Sequence, residues 1–499
     1  GAARGGLAKL LAAFSLTGES GTVTKLMEVS AYKPTDCLNG LRVLSMLWII
    51  LGHTFLMPAA IVGYSNFEDV VSTSLNSNTA EGNPLTFIIL SAQSGVDTFF
   101  FLSGFLLSLL TLQELRARGG KTQILAAIAM RYARLTPSLA LTVLMYYKIW
   151  PYLVSGPFAA RFQDSIFRRC RGSWWSELTY TMNFLPFDSD KVCLGWTWYL
   201  GDDMIFFVVS LPILVLYHRS RPLGWAVVAV LTLASLGITA WLIVHFHLSV
   251  YIFDDHYKDY SYWAYSKPYT RAPAYLVGVA AAWLLDELPP RGAGQLPAGA
   301  PARRPWAGPA AGAAAGGLLL LLVFVPVTDF GPRRNSWGDP ASVLYLDVGR
   351  MLWAACWAVI TLLCYYDRLP VVNGFLSHRA WAPLARLTYG AYLLHPLVIK
   401  LAAGSARHYY TFSGMDMFYR HLGNVACAYG GSAILWVLVE RPMMTLTSLL
   451  LKKQPRGGAP ACCPGPPRLP LTEHEASVQK SNAAADTRRG SATPDRAAG

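Results

Sequence analysis

The sequence predicts an all-α, polytopic integral membrane protein with about ten transmembrane helices and a disordered C-terminal tail. Of its 499 residues, 53% are hydrophobic and 14% are charged, whereas soluble domains have about 25% charged residues. The apolar residues come in blocks of roughly twenty, the helix length that crosses a hydrocarbon core ~30 Å thick. The blocks are continuous rather than alternating, so they predict helices and exclude a β-barrel, the other fold that satisfies its backbone in lipid.

Ten apolar blocks are long enough to be spans. They cover residues 41–62, 85–112, 135–154, 196–217, 224–244, 271–288, 309–327, 343–366, 381–402 and 421–441. We divide the chain into a cytosolic N-terminal segment at 1–36, a transmembrane domain at 37–445 and a disordered cytosolic tail at 446–499. The tail is rich in Pro, Gly, Ala and Ser and poor in aromatic residues, as disordered segments are. The chain begins at Gly1 without an initiator Met, so we expect a fragment or a processed product.

Basic residues between the spans orient the bundle. Segment 113–134 has five Lys or Arg residues against one acid, and segments 218–223 and 289–308 and the tail are also basic. All four lie on one side of a ten-span protein, and by the positive-inside rule that side is cytosolic. The net charge of +13 is therefore explained by topology, and we exclude nucleic acid as a partner. One outer loop of about forty residues is also basic, and longer loops obey the rule less well.

The cysteines predict a disulfide rather than a metal site. All eight lack the spacing of metal ligands, so we expect no metal. Cys170 and Cys193 lie in the same outer loop, in a compartment that permits oxidation. We therefore predict that these two cysteines are joined.

Two histidines inside predicted spans are candidate catalytic residues, because ionisable residues within lipid are costly and usually functional. His53 follows Arg42 by about eleven positions, ~16 Å along a helix, so it lies near mid-membrane if Arg42 lies at the cytosolic interface. A neutral imidazole can take a proton from a hydroxyl near neutral pH, as acyl transfer requires. Its other role in such a reaction would be to carry the acyl group transiently. The alternative is a histidine that only packs helices together. His395 lies in the ninth span, beside Pro396, which should kink that helix.

Further candidates inside predicted spans are three aspartates and a serine. Asp97 is near the middle of the second span, where it could pair with an imidazole or an arginine, and we expect it to orient His53. Asp202 and Asp203 follow WTWYLG in the fourth span. Ser103 lacks the strained turn of a nucleophile elbow, so a hydrogen bond to its own helix backbone explains it better than a nucleophilic role.

Arg131 and Arg134 form the sequence RYAR just before the third span. The planar fork of arginine donates two parallel hydrogen bonds to phosphate, so the pair predicts a clamp for a phosphorylated donor. The alternative is cytosolic anchoring at the positive-inside interface. Glu440 and Arg441 close the tenth span within VERP, and an adjacent pair of charges at that interface needs no function.

Six motifs resemble those of a known family. They are CLNGLRVLSMLWIILGH, GVDTFFFLSGFLLS, RYARLTP, WTWYL, LTYGAYLLHP and VERP. In this order they are similar to the acyltransferase 3 membrane proteins, and within them to the animal nose-resistant-to-fluoxetine-like branch, over residues 37–442. The family pattern Arg-x10-His is matched by Arg42 and His53, and Arg-x-x-Arg by Arg131 and Arg134.

The resemblance implies acyl-CoA as co-substrate, with His53 as the catalytic histidine. Many family members have a glutamate where this chain has WTWYLGDD, so Asp202 or Asp203 is expected to replace it. Animal relatives also carry a Cys-bearing extracellular domain and a further span upstream, which agrees with the expectation of a fragment.

We therefore predict an integral membrane O-acyltransferase of the endoplasmic reticulum or plasma membrane. Its partners are membrane lipids, the acyl donor and a hydroxyl or amine acceptor on a lipid, sterol, carbohydrate or small molecule. Catalysis is assigned to His53, Asp97 and His395, and donor binding to Arg42, Arg131, Arg134, Asp202 and Asp203. One alternative is a transporter of lipids or hydrophobic small molecules that uses the same groups as a proton relay. It predicts inverted repeats and broken helices, which are not evident in the sequence. A non-catalytic membrane scaffold is the third hypothesis.

Overall fold

The structure is a computed structural model, which describes residues 14–16, 21–29, 31–66, 84–249, 257–288, 306–328 and 337–451. The α-helices are α1 (Thr22–Met27), α2 (Cys37–Ile61), α3 (Pro84–Leu90), α4 (Ser94–Ala117), α5 (Ile124–Leu144), α6 (Trp150–Leu153), α7 (Ala159–Thr179), α8 (Trp198–Arg219), α9 (Arg221–Phe246), α10 (Tyr257–Tyr260), α11 (Pro268–Glu287), α12 (Ala307–Phe324), α13 (Asp339–Val343), α14 (Gly349–Tyr365), α15 (Pro370–Leu376), α16 (Trp381–Gly404), α17 (Gly414–Leu435) and α18 (Arg441–Leu451). Within these ranges, β-pairing is limited to a bridge between Tyr64 and Tyr410. The predicted all-α membrane fold is confirmed.

Eight helical segments of the described chain are long and apolar enough to cross a membrane, judged by length and composition. They correspond to eight of the ten predicted spans. The other two predicted spans form α11 and α16, which are less hydrophobic because they carry Arg271, His395 and Lys400. Arg271 and His395 are buried inside the bundle, so their polar groups meet protein rather than lipid. Val230 and Leu233, by contrast, are exposed, as lipid-facing side chains should be.

Helices α4 and α11 pack closely at the centre of the bundle. A Cβ atom added at Gly104 of α4 would lie 2.2 Å from the carbonyl oxygen of Tyr275, and one at Gly278 of α11 would lie 2.2 Å from that of Phe101. A side chain at either position would therefore push the two helices apart. Around this pair, α11 packs against α9 and α14, and α4 packs against α8. Helix α2 contacts α4 as well as α16 and α17, so it joins two groups of helices.

The outer segment that we expected to be a loop contains the helix α7. This helix buries Phe162, Ile166 and Cys170 at four-residue spacing and turns most of its arginines to the surface. It is therefore an amphipathic surface helix, whose positive charge need not oppose the predicted topology. Cys170 is bonded to Cys193, so the predicted disulfide is confirmed.

Some predicted features lie outside the described residues. They include the tail from residue 452 onward, most of the basic segment 289–308 and the first part of the N-terminal segment. The tail's disorder and the cytosolic orientation of these segments stay predictions.

Candidate active site

His53 and His395 are in direct contact between α2 and α16. His53 Nδ1 lies 2.7 Å from His395 Nε2, and the two rings are stacked with centroids 5.0 Å apart. His395 Nδ1 lies 3.0 Å from the carbonyl oxygen of Ala391. A carbonyl can only accept, so His395 Nδ1 carries a proton and the Nε2 of a neutral His395 is an acceptor. His53 Nδ1 then donates to it, which leaves His53 Nε2 as the basic nitrogen of the pair.

A small hollow of about 50 Å³ lies beside His53. Ile49 and Val96 line this hollow and also line a much larger cavity of about 640 Å³. His53 is half-buried, whereas His395 is fully buried. His53 is therefore the histidine that a substrate can approach, and the side chains of Ile49 and Val96 stand between it and the large cavity.

Charged side chains surround the large cavity. The basic ones are Lys25, Arg42, Arg134, Arg386 and Arg441, and the acidic ones are Glu28, Asp203 and Glu440. Five cations against three carboxylates favour an anionic ligand, and arginine in particular suits phosphate. Among the described residues, no group of three or more His, Cys, Asp or Glu side chains is placed to hold a metal ion.

The two arginines of the RYAR motif have different surroundings. Arg131 donates a hydrogen bond to Asp203, and its guanidinium carbon lies 4.4 Å from the centroid of the Phe207 ring. The Ser103 hydroxyl donates to the other oxygen of Asp203, instead of bonding its own helix backbone as expected. Arg134 is exposed and lines the large cavity. Arg134 is thus better placed than Arg131 to meet a ligand.

Asp202 and Asp203 have different neighbours although they are adjacent on α8. Asp202 is fully buried and accepts a hydrogen bond from the side-chain amide of Asn183 at 2.8 Å. Asp203 lines the large cavity and binds Arg131. Of the two predicted donor-binding aspartates, Asp203 is therefore the one that can influence a ligand in the cavity.

Asp97 belongs to a second ionisable cluster. Its two carboxylate oxygens lie 3.0 and 3.2 Å from Arg271 Nη1. We expected an imidazole or an arginine as the partner of Asp97, and the structure has an arginine. The pair is buried, with Asp97 2% and Arg271 1% exposed. The hollow that Asp97 lines has a volume of about 20 Å³, room for roughly one water molecule. The contact with His53 that we expected from Asp97 is made by His395.

Three tyrosines line the large cavity. The sequence motifs contain them, but we did not single them out as candidates. The Tyr389 hydroxyl donates to the carbonyl oxygen of Leu135 at 2.8 Å, and the Tyr392 hydroxyl donates to that of Trp196 at 2.5 Å. The rings of Tyr199 and Tyr392 meet edge to face, with centroids 5.7 Å apart. These contacts hold α5, α8 and α16 around the cavity. In the sequence alone, such tyrosines resemble interfacial anchors.

The rim of the cavity contains two further arginines that we did not predict. Arg386 donates to two backbone carbonyls at the C-terminal end of α1, at 3.0 and 2.6 Å. Arg441 follows a π-helical turn at Trp436–Glu440, whose two end residues also line the cavity. Such turns frequently occur at functional sites. The VERP sequence therefore contributes to the cavity, although an interfacial charge pair was expected to need no function.

Glu177 is a buried carboxyl group at the end of α7 that holds the loop leading into α8. It accepts a hydrogen bond from the Leu194 amide at 2.8 Å, and its other oxygen lies 2.5 Å from Thr197 Oγ1. Burial raises the pKa of Glu177 to about 7. Thr197 Oγ1 also lies 2.6 Å from the Leu194 carbonyl oxygen, so the Thr197 hydroxyl can donate there while a protonated Glu177 donates to Thr197.

Comparison with known proteins agrees with the motifs. A family described as "Acyltransferase domain" matches residues 35–441. The chain is similar to "Nose resistant to fluoxetine protein 6" of Caenorhabditis elegans, with 27% identity over 475 residues that cover 89% of this chain and 55% of that protein. It is also similar to "Regulator of hypoxia-inducible factor 1" of the same organism, with 27% identity over 216 residues that cover 41% of this chain and 39% of that protein. The chain thus spans about half the length, or less, of these relatives. No solved structure matches.

Proposed function

Because the chain belongs to the acyltransferase 3 family of membrane proteins, we propose that it transfers an acyl group from an acyl-CoA-type donor to a hydroxyl or amine acceptor. The observation that carries this proposal is the arrangement along α2. Arg42 lines the basic cavity, and His53, with its basic nitrogen oriented by His395, lies ~16 Å further along the same helix. One helix therefore combines an anion site with a general base.

The basic rim of the cavity suits the phosphates of the donor. Arg42, Arg134 and Arg386 line it from three different helices, so together they can surround a polyphosphate from several directions. Arg131 supports the site indirectly, since it fixes Asp203 in the cavity wall. The donor thioester then extends along α2 toward His53. The side chains of Ile49 and Val96 have to move before the acyl carbon can reach the imidazole.

The chemistry needs one base that later acts as an acid. His53 Nε2 takes the proton from the acceptor hydroxyl as its oxygen attacks the thioester carbonyl carbon. The carbonyl electrons move to the oxygen and return as the carbon–sulfur bond breaks, so the thiolate leaves. The imidazolium then gives its proton to the sulfur, which yields the ester and the free thiol. His395 holds His53 in the required tautomer throughout.

The acceptor is a hydroxyl, or an amine, on a lipid, sterol, carbohydrate or small molecule. We favour a hydroxyl, because a neutral imidazole is the usual base for activating one. We place the protein in the endoplasmic reticulum or the plasma membrane. The disulfide between Cys170 and Cys193 supports this location, because disulfides persist on the oxidising side of these membranes.

The test is acyl transfer by the purified protein in lipid nanodiscs. Acyl-CoA donors are supplied with a membrane lipid extract as acceptor, and thiol release and new acylated products are measured by mass spectrometry. We expect both with the wild-type protein and neither with His53→Ala. The matched control is His421→Ala, which removes a half-buried histidine of α17 away from the cavity and should retain transfer. Donor binding without transfer to any acceptor would contradict the proposal and favour a transporter.

A further inference from the structure

A second hollow of about 500 Å³ lies between α4, α5 and α8. It adjoins the basic cavity, because five side chains line both. These are Arg42, Phe99, Arg134, Leu135 and Tyr199. A ligand held by the shared arginines can therefore extend into either hollow.

Away from these shared side chains, the second hollow is a groove whose lining is partly polar, with Ser103, Thr111, Glu114, Thr122 and Arg131. Its apolar walls include Leu102, Leu106, Leu107, Phe207 and Leu211. Leu110, near its far end, is 60% exposed, so the groove opens onto the lipid-facing surface of the bundle. The part of α4 from Phe99 to Leu110 covers about eleven positions, or ~16 Å. The groove is thus long enough to hold much of an aliphatic chain.

We propose that this groove binds the acyl chain of a long-chain acyl donor, an inference that rests on the proposed acyl transfer. A hydrocarbon chain needs no hydrogen bonds, whereas ordered water would find few polar partners along these leucines. The donor is the favoured occupant because Arg42 and Arg134, which would hold its phosphates, also line the groove.

The position of the groove implies that the donor binds in a bent form. The groove begins at Phe99, one helical turn from Val96, which lines the hollow beside His53. From the level of Phe99 and Val96, the acyl chain of the donor extends along α4 and its phosphates extend to the basic rim of the large cavity. Both parts of the donor point toward the predicted cytosolic end of the bundle. The thioester therefore lies at the bend, which is the part of the donor nearest to His53.

The test compares donor chain lengths in proteins with a blocked groove. The wild-type protein should use palmitoyl-CoA with a kcat/KM at least ~10-fold above that for acetyl-CoA, because the longer chain buries more apolar surface. Leu106→Trp and Leu107→Trp should each lower the palmitoyl-CoA value by ~10-fold or more and lower the acetyl-CoA value much less, so that the ratio of the two values falls. Leu106→Ala, which removes contacts without adding bulk, should lower the palmitoyl-CoA value less. The matched control is Leu125→Trp, at an α5 position that is 83% exposed, which should leave both values unchanged.

A second measurement does not depend on turnover. Palmitoyl-CoA with a photoreactive diazirine at the end of its chain should label peptides of α4, α5 or α8, and Leu106→Trp should reduce that labelling. Labelling elsewhere, or a ratio of donor preferences that the tryptophans do not alter, would overturn the inference. Labelling of the groove by a diazirine phospholipid but not by the acyl-CoA would also overturn it, since a membrane lipid would then be the occupant. Absence of transfer from every donor would contradict the proposed function, and the labelling would still decide what the groove binds.

Discussion

Two clusters of buried or half-buried ionisable side chains, one around His53 and one around Asp97, differ in what lies beside them. His53 contacts a second histidine and faces a hollow that adjoins a cavity of about 640 Å³. Asp97 is neutralised by Arg271, and the hollow beside it measures about 20 Å³. Both residues lie in predicted spans and are ionisable. The sequence therefore offers no reason to separate them, whereas their surroundings do.

The difference separates reactive groups from structural ones. A buried charge that is paired on all sides is costly to break, yet it offers nothing to a ligand. A neutral imidazole whose second nitrogen faces a hollow can exchange a proton with a substrate. The same contrast separates the paired Arg131 from the exposed Arg134. Substitutions should therefore affect transfer in one region and folding in the other.

The largest effect is expected from His53. His53→Ala should lower the rate of acyl transfer by ~10²–10⁴-fold, the usual contribution of a positioned general base. His395→Ala should cost less, because His395 acts through His53, and His395→Gln should recover part of the loss, since its amide oxygen can accept from His53 Nδ1. Single-turnover rates at saturating donor measure these differences. Full activity in His53→Ala, with loss confined to His395→Ala, would move the base to α16.

The Asp97 cluster should respond through stability. Asp97→Ala leaves Arg271 as an unpaired buried cation, which should cost about 3–5 kcal/mol of unfolding free energy. Replacing both partners by apolar residues, as in Asp97→Leu with Arg271→Met, should restore most of the loss. Denaturant unfolding in detergent measures both variants. If Asp97→Asn were as stable as the wild type yet could not transfer an acyl group, Asp97 would have a role in transfer, and the contrast between the two clusters would be wrong.

Glu177 is a buried carboxyl group in α7, which is not one of the eight candidate membrane spans, and its effect should depend on pH. Its pKa is raised from 4.5 to about 7 in the folded protein, so the folded state holds this proton more tightly than the unfolded state. The resulting stabilisation, roughly 3 kcal/mol for such a difference, is fully present below pH ~4.5 and is lost as the pH rises through about 7. Glu177→Gln should therefore flatten this part of the pH dependence. Thermal unfolding midpoints between pH 4.5 and 8 measure it, and an unchanged slope in the variant would assign the dependence to other groups.

The smallest effect is expected from substitutions in the RYAR pair. It is also the most selective effect, because Arg134 should affect donor binding and Arg131 should affect stability. Arg134→Ala should weaken acyl-CoA binding by ~10-fold or more, the typical value of a hydrogen bond to a charged group. Arg134→Lys should recover part of this affinity, because it keeps the charge but loses the fork. Arg131→Ala should act mainly on stability, since it unpairs Asp203. Equilibrium binding of labelled acyl-CoA separates the two, and equal losses of affinity would restore the original hypothesis that both arginines clamp the phosphates.

The fold class could be predicted because it depends on properties that are local in the chain. A continuous apolar block of about twenty residues has few alternatives to a membrane-spanning helix, and eight such helices are described. The two predicted spans that fall short of this hydropathy, α11 and α16, carry polar residues whose partners lie on other helices. Helix α7 was missed as a helix because its polar composition resembles that of a loop, although Phe162, Ile166 and Cys170 show the spacing of a buried face.

The sequence by itself determined the all-α membrane class, the order of the helices, the family and the disulfide partners. These depend on the apolar blocks, on the order of the motifs and on the compartment of the loop, all of which can be recognised along a single chain. Only the tertiary structure decided that His53 contacts His395, that Asp97 pairs with Arg271, and that Arg134 rather than Arg131 lines the cavity. The physical reason is that the role of an ionisable group depends on what neutralises it and what space lies beside it. Both are set by residues such as His395 and Arg271, which are more than a hundred positions away in the chain.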